Sequence, residues 1–185
     1  MILIAGLGNP GKEYCLTRHN AGFLLVDRLL DVLDVKDKKR KFKSKTAFAI
    51  LAEKKVLFLQ PLTFMNESGF AVLQARKFYK HEIEKIFVIH DDIDIEFGKI
   101  RFKKMGGNGG HKGLISIAQH NPGIEFERLR IGVGRPPGVK AAANYVLKNF
   151  SKTEQKELLS IFENSVDAVK DYISFGIEYC MNKYN

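Results

Sequence analysis

Apolar residues follow two patterns along this chain, short continuous runs and longer stretches in which they recur every three or four positions. Residues 1–5 form a continuous run typical of a buried central strand, and residues 20–30, after a polar loop, have a helical period. Residues 85–90 and 126–134 are predicted strands of the same kind. A strand that runs through a loop into a helix is typical of open α/β folds, which usually keep their sites at the carboxyl ends of the strands.

The segment between these strands predicts a hairpin and a helix. Residues 46–51 and 55–59 have the composition of two strands that turn at Glu53-Lys54. Thr63 is the expected N-cap of a helix that opens at Phe64 and continues through Phe78.

The second half of the chain is mostly helical in period. Residues 114–120 predict a short helix after a glycine-rich loop, and Pro136-Pro137-Gly138 is expected to close the last strand. In the region 141–184, apolar residues recur with the period of an α-helix. Its expected buried stripe consists of Leu158, Leu159, Phe162, Val166 and Val169.

The loop after the first strand spells G-x-G-x-x-G at Gly6, Gly8 and Gly11, the pattern of a dinucleotide site. In such a site the helix begins within the glycines and holds the pyrophosphate at its N-terminus. Here Pro10 precedes the third glycine, and the helical pattern starts only near residues 17–20. The acidic residues Asp27, Asp31 and Asp34 fall on the polar face of the first helix instead of ending a second strand. The pattern therefore argues against a nucleotide cofactor.

Composition narrows the class of protein. The chain has 185 residues, which favours one domain, and no apolar run approaches the roughly 18 residues that a membrane span needs. Met1 leads directly into a strand, so we expect a cytoplasmic protein with no cleavable leader. Two cysteines, Cys15 and Cys180, indicate neither a disulfide framework nor a metal site. Cys15 is interpreted as a small, semi-buried thiol, with a nucleophilic role as the alternative.

The chain is strongly basic, with a net charge of +9, which points to a polyanionic partner. Basic residues cluster in three separate segments, which leaves two interpretations open, nucleic-acid or phosphate binding and a merely solvated surface. These are the run KDKKRKFKSK at 36–45, the group Lys99, Arg101, Lys103 and Lys104, and the pair Arg128 and Arg130 on one face of a strand.

Three carboxylates, Asp91, Asp92 and Asp94, follow the strand at 85–90 and suggest a cation site. The glycine and terminal glutamate of an EF-hand loop are missing. We therefore favour carboxylates that orient a neighbour or cap a turn.

Five motifs resemble those of bacterial peptidyl-tRNA hydrolases, and they occur in order along essentially the whole chain. They are GLGNPGKEYCLTRHNAG at 6–22, FMNESG at 64–69, HDDIDIEFGKIRFKK at 90–104, GGNGGHKGL at 106–114 and FERLRIGVGRP at 126–136. The resemblance implies a single α/β domain, 1–185, with a twisted mixed sheet flanked by helices on both faces. It also implies a monomer without a cofactor or metal that hydrolyses the ester between a peptide and the 3′ end of tRNA.

The resemblance assigns roles by position. It implies that His19 is the catalytic histidine and that Asp91 orients it. Asn9 corresponds to the residue that distinguishes blocked from free aminoacyl groups. Further implied substrate contacts are Tyr14, Phe64, Met65 and Asn66, and the implied tRNA phosphate contacts are Arg101, Lys103 and Arg130.

One position departs from the resemblance, because the family usually has Asn where this chain has Lys112. An amide both donates and accepts hydrogen bonds, whereas an ammonium only donates. Lys112 is therefore retained as a substrate-binding residue whose role is open.

The residues are also chemically consistent with ester hydrolysis. A histidine next to a carboxylate can take a proton from water, and Asn66 near a helix start offers a donor to a developing oxyanion. The alternative from another class is a non-catalytic RNA-binding domain with a degenerate site. Such a module needs only the basic surface, so His19, Asp91 and Asn9 argue for the enzyme.

Overall fold

Seven strands form one mixed sheet in a computed structural model that describes residues 1–136 and 142–185. The strands are β1 (Ile2–Gly6), β2 (Lys38–Lys41), β3 (Ser44–Leu51), β4 (Lys54–Pro61), β5 (Lys85–Asp92), β6 (Ile100–Lys103) and β7 (Glu127–Gly132). Their order across the sheet is β2-β3-β4-β1-β5-β7-β6. β4, β1, β5 and β7 are parallel to one another, and the outer strands β2, β3 and β6 pair antiparallel. The carboxyl ends of β4, β1 and β5 therefore meet at one edge in the middle of the sheet.

Helices cover both faces of this sheet. They are α1 (Ala21–Val32), α2 (Ser68–Tyr79), α3 (Lys112–His120), α4 (Ala142–Val146), α5 (Lys152–Phe175) and α6 (Ile177–Tyr184). α1, α5 and α6 bury residues such as Leu25, Phe162 and Ile177 against one face, and α2 and α3 bury Val72 and Leu114 against the other. This arrangement confirms the expected α/β fold with a mixed sheet flanked by helices on both faces.

The predicted strands and the hairpin are confirmed, with shifted ends. Ala52 and Glu53 form the hairpin turn between β3 and β4, and both have positive φ angles, as a tight turn between twisted strands requires. The edge strand β2 was missed, because its sequence, KKRK, has the composition of a basic run and none of the alternation of a half-buried strand.

Two predictions about helices are wrong. Thr63 caps no helix: the backbone at Phe64 is extended, a single 3₁₀ turn follows at Met65–Glu67, and α2 begins only at Ser68. Leu159 is 58% exposed, because it lies 100° around α5 from Leu158 and outside the buried stripe. The predicted turn residues Pro137 and Gly138 and the helix start at Ala141 lie outside the described residues.

The start of α1 is pressed against the strand ends, and glycine makes this possible. A Cβ on Gly22 would lie 2.3 Å from the carbonyl oxygen of Ile89 and 2.4 Å from the amide nitrogen of Leu7. The Phe23 amide donates to the Leu7 carbonyl at 3.1 Å, which joins α1 to the end of β1. This close approach brings the turn before α1, which carries His19, up to the end of β5.

No helix within the described residues, 1–136 and 142–185, is long and apolar enough to cross a membrane.

Candidate active site

A crevice of about 640 Å³ opens at the carboxyl edge where β4, β1 and β5 end. All of the predicted site residues line it except Arg101. They are Asn9, Tyr14, His19, Phe64, Met65, Asn66, Asp91, Lys103, Lys112 and Arg130. Parallel strands gather these loops at one edge, so residues that are distant in sequence share one cavity.

His19 and Asp91 are hydrogen-bonded at the floor of this crevice. The Nδ1 atom of His19 lies 2.8 Å from Oδ1 of Asp91, and both side chains are buried. A carboxylate only accepts hydrogen bonds, so Nδ1 of His19 carries the hydrogen and donates it. The lone pair of this imidazole is therefore on Nε2, the ring nitrogen that does not contact Asp91.

A second histidine, His111, binds the same carboxylate oxygen. Its Nε2 lies 2.9 Å from Oδ1 of Asp91, and its Nδ1 accepts the amide hydrogen of Gly113 at 3.1 Å as the N-cap of α3. The cap fixes the tautomer, because Nδ1 must be the acceptor and Nε2 must carry the hydrogen. Asp91 thus receives two hydrogen bonds from imidazole rings whose centroids are 4.8 Å apart.

Asp91 is held as a carboxylate. Burial acts to raise its pKa, but charge interactions with His19 and His111, together with their hydrogen bonds, outweigh burial and keep the pKa well below its usual range. Asp91 can therefore accept from both rings over the whole pH range in which histidine titrates.

His90, just before Asp91, is a third imidazole beside the crevice, and its side chain is buried. Its Nδ1 donates to the Asp91 carbonyl at 2.7 Å, and its Nε2 is buried with no hydrogen-bond partner among the described residues. Burial, and after it the neighbouring His111 ring, lowers the pKa of His90 to about 3. His90 is therefore neutral, and it forms part of the wall of the crevice.

Asn9 presents one definite end of its amide to the crevice. Its Oδ1 accepts the amide hydrogen of Met65 at 2.8 Å, so its NH₂ group is left as a donor. Asn20 holds the Asn9 backbone through two hydrogen bonds, at 2.8 and 3.0 Å. The position and the direction of the Asn9 amide are thus both fixed.

Apolar and polar side chains together form the walls of the crevice around these groups. The rings of Tyr14 and Phe64 meet edge to face with centroids 6.5 Å apart, and Val146, at the end of α4, and Leu147, just after it, also line the crevice. Asn66 is exposed in the 3₁₀ turn next to Met65. Lys112 is exposed at the first position of α3.

Four cations stand opposite one another on the edge pair β6 and β7. Arg101 faces Arg130 and Lys103 faces Arg128 across the ladder. Arg128 donates to the carbonyls of Gly106 and Gly107, and Arg130 donates to Asp92 at 2.8 Å. Like charges directly opposite each other destabilise a sheet, so this arrangement is suited to an anionic ligand. Arg101 lies outside the crevice, in a neighbouring cleft with Lys99 and Glu96.

The three clustered aspartates do not converge on one point. Asp91 binds the two histidines, Asp92 binds Arg130 and caps the turn through the Asp94 amide, and Asp94 contacts Arg135. Orientation and turn capping, the interpretation favoured from sequence, account for these contacts.

His19, Asp91 and His111 together have the residue types of a metal site, with donor atoms within 4.8 Å of one another. A metal on Nε2 of His111 would force the ring hydrogen onto Nδ1, where it would face the Gly113 amide hydrogen. The capping bond therefore opposes metal binding and favours a set of fixed tautomers.

Sequence reasoning missed His111 and misjudged Cys15. His111 lies inside the quoted glycine motif, and a polar residue directly before a helix is a capping signal that pointed to it. Cys15 is exposed, not semi-buried, since it follows the solvent-facing 3₁₀ turn Lys12–Tyr14.

The chain matches a family model, described as peptidyl-tRNA hydrolase, over residues 3–185. A peptidyl-tRNA hydrolase of Thermoanaerobacter sp. (strain X514) is 44% identical over 185 residues, covering 100% of both chains. That of Mycolicibacterium vanbaalenii is 43% identical over 182 residues, covering 98% of this chain and 95% of the relative.

Solved structures agree with this relationship. The crystal structure of peptidyl-tRNA hydrolase from Acinetobacter baumannii superposes with a TM-score of 0.89 at 37% identity, covering 100% of this chain and 94% of that one. A Campylobacter jejuni nucleosidase, with a TM-score of 0.53 and 11% identity, shares the fold alone. With a family match over residues 3–185 and full-length relatives that are 43–44% identical, the chain belongs to the peptidyl-tRNA hydrolase family.

Proposed function

We propose that this protein hydrolyses the ester bond between a peptide, or an N-blocked amino acid, and the 3′ end of tRNA, with His19 as the general base. The observation that carries the proposal is the hydrogen bond from Nδ1 of His19 to Asp91, at 2.8 Å on the floor of the crevice. This bond leaves Nε2 of His19 as the proton acceptor next to the space for the substrate.

In the proposed reaction, Nε2 of His19 takes a proton from a water molecule as the water oxygen attacks the ester carbonyl. Asp91 stabilises the imidazolium that forms, and His111 donates to the same carboxylate oxygen of Asp91. The carbonyl oxygen becomes negatively charged in the tetrahedral intermediate, and the exposed amide of Asn66 is the proposed donor to it. The imidazolium then returns its proton to the departing 3′ oxygen of the tRNA.

Substrate recognition is divided along the crevice. The NH₂ group of Asn9 is suited to bind a peptide-like carbonyl, which a free aminoacyl ester lacks. Tyr14, Phe64, Met65 and Lys112 are the proposed contacts with the aminoacyl and peptide part. The cations of the β6–β7 edge, Arg101, Lys103 and Arg130, are the proposed contacts with tRNA phosphates.

A binding module with a degenerate site is a weaker explanation, because binding RNA would require the basic edge but not the oriented pair His19 and Asp91. We infer that the working unit is a monomer, since every group in the proposed mechanism belongs to one chain. We also infer that no cofactor takes part and that the reaction occurs in the cytoplasm, where translation supplies the substrate.

The test is release of N-acetyl amino acid from N-acetylaminoacyl-tRNA with no cofactor added. We expect His19→Ala to lower kcat by about 10²–10⁴-fold, the usual contribution of a general base, with tRNA binding largely kept. His81→Ala is the matched control, because His81 is exposed and outside the crevice. Wild-type turnover in His19→Ala would refute the mechanism.

A further inference from the structure

The strongest basic feature of the chain lies outside the crevice. Residues 36–45 contain seven lysines and arginines and one aspartate, so they carry six of the chain's nine net positive charges. They form β2 and its turn into β3, at the edge of the sheet opposite to β6. We name the surface formed by Arg40, Lys41, Lys43 and Lys45 the hairpin patch.

The charges of the hairpin patch are not neutralised within the described residues, 1–136 and 142–185. Lys36, Lys38 and Lys39 each contact an aspartate, whereas none of the four patch residues has a carboxylate within 4.0 Å in that part of the chain. Arg40 lies directly opposite Lys45 in the ladder, a like-charge pair that costs stability.

Aromatic rings hold two of these cations in place. Nζ of Lys41 lies 3.5 Å from the ring centroid of Phe78, and Nζ of Lys43 lies 5.0 Å from that of Phe70. Phe42, between them, packs on Phe78 with centroids 5.3 Å apart. Cation–π contacts of this kind restrict a lysine that would otherwise move freely in water, so the ammonium groups are positioned before any ligand arrives.

The hairpin patch lies at the same edge of the sheet as the crevice. β2 runs in the same direction as β4, so its end at Lys41 points to the carboxyl edge. The Lys43 carbonyl accepts the amide hydrogen of Leu62 at 2.7 Å, and Phe64, two residues further on, lines the crevice. The patch therefore flanks the crevice on the side opposite to Lys103 and Arg130.

We propose that the hairpin patch is a second RNA-binding surface that contacts the phosphate backbone of the substrate's tRNA body. This inference rests on the proposed function and adds a contact to it. The two basic edges are six strand spacings apart, or about 29 Å. A partner that reaches both edges must be macromolecular and anionic, and a folded RNA has both properties.

Edge lysines also protect sheets from pairing with other chains, and this is the competing explanation. Protection requires charge at the edge, but not ammonium groups positioned over aromatic rings beside the crevice. The two explanations predict different effects of the patch lysines on RNA binding, so an experiment can distinguish them.

The experiment compares three double variants. Lys41→Gln/Lys43→Gln removes two patch charges, and Lys41→Arg/Lys43→Arg keeps them. Lys85→Gln/Lys156→Gln removes two charges from exposed lysines at the start of β5 and on α5. Each protein is assayed on intact N-acetylaminoacyl-tRNA and on the same N-acetylaminoacyl ester attached only to the 3′-terminal trinucleotide, and its binding of deacylated tRNA is measured against salt.

We expect Lys41→Gln/Lys43→Gln to raise KM for the intact tRNA several-fold and to leave kinetics on the trinucleotide ester unchanged. Its log–log salt slope for tRNA binding should fall by roughly 1.4–1.8, the loss of two phosphate contacts. The arginine variant and the distant variant should behave as wild type.

Three results would overturn the inference. One is a salt slope and KM equal to those of the distant control. Another is an equal loss on both substrates, which would mean that the substitutions act through the crevice. The third is weaker binding to anionic lipid vesicles with unchanged tRNA binding, which would identify a membrane surface. Failure of the wild type to hydrolyse either ester would contradict the proposed function instead, while tRNA binding still tests the patch.

Discussion

Asn9 accepts the backbone hydrogen of Met65 through its side-chain oxygen, at 2.8 Å. This contact joins the loop after β1 to the turn before α2, and it decides that a donor, not an acceptor, faces the substrate. Selectivity for a blocked amino group then follows from the orientation of one amide.

Asn9→Asp tests this orientation, because the carboxylate can still accept the Met65 hydrogen but presents an acceptor to the crevice. We expect kcat/KM for N-acetylaminoacyl-tRNA to fall by about 5- to 150-fold, the equivalent of 1–3 kcal/mol for an unpaired buried group. Asn9→Ala should reduce the ratio of kcat/KM between blocked and free aminoacyl-tRNA. An unchanged ratio in Asn9→Ala would show that another residue selects the substrate.

His111 should support catalysis through Asp91 and not by contact with the reacting atoms. His111→Ala removes one of two hydrogen bonds to the carboxylate, and we expect kcat to fall about tenfold, as for the loss of roughly 1.4 kcal/mol. His111→Gln can place an amide donor near the position of Nε2, so it should recover part of that loss. A larger effect in His111→Ala than in His19→Ala would instead make His111 the base.

Gly22 should tolerate no side chain. A Cβ there meets backbone atoms of Ile89 and Leu7, which cannot move without shifting β5 or β1. We expect Gly22→Ala to lower the free energy of unfolding by about 1–3 kcal/mol and to lower kcat, because α1 moves away and carries His19 with it. Gly107→Ala is the control for stability, since nothing lies within 4 Å of its added Cβ. Urea unfolding and kcat are measured on both, and equal stability would contradict the prediction.

His90 should make stability depend on pH. Its folded pKa of about 3 is below the unfolded value of about 6.5, so between these values the unfolded chain binds a proton that the folded chain does not. The free energy of unfolding should therefore fall as pH falls from 6.5, by about 1.4 kcal/mol per pH unit from this group. The folded pKa of Asp91 is lowered, so Asp91 causes a further decrease in the free energy of unfolding only below about pH 4.

The measurement is urea unfolding between pH 4.5 and 7 for wild type and His90→Asn, whose amide can keep the hydrogen bond to the Asp91 carbonyl. The variant should be less stable at neutral pH but lose less stability on acidification. The exposed His81→Asn variant should keep the wild-type slope. If His90→Asn also keeps that slope, His90 does not remain neutral.

The sequence alone determined the main strands, most of the helical segments and most of the residues that line the crevice. Continuous apolar runs predict β1 and β5 because burial on both faces leaves few alternatives, and parallel strands gather their following loops at one edge. The pairing of His19 with Asp91 could be predicted because five motifs, in order along the chain, resemble those of a family in which these two positions act together.

Only the tertiary structure decided which atoms meet. The tautomer of His19, the shared oxygen of Asp91, and the donor end of Asn9 depend on contacts between segments that are up to 72 residues apart. Local pattern carries no information on such distances or directions, which is why the contact of His111 with Asp91 was missed and why Thr63 was wrongly predicted to cap a helix. β2 was missed for the same reason. Its four basic residues form a strand because they pair with β3, and the sequence KKRK has no alternation of apolar and polar residues that would predict a strand.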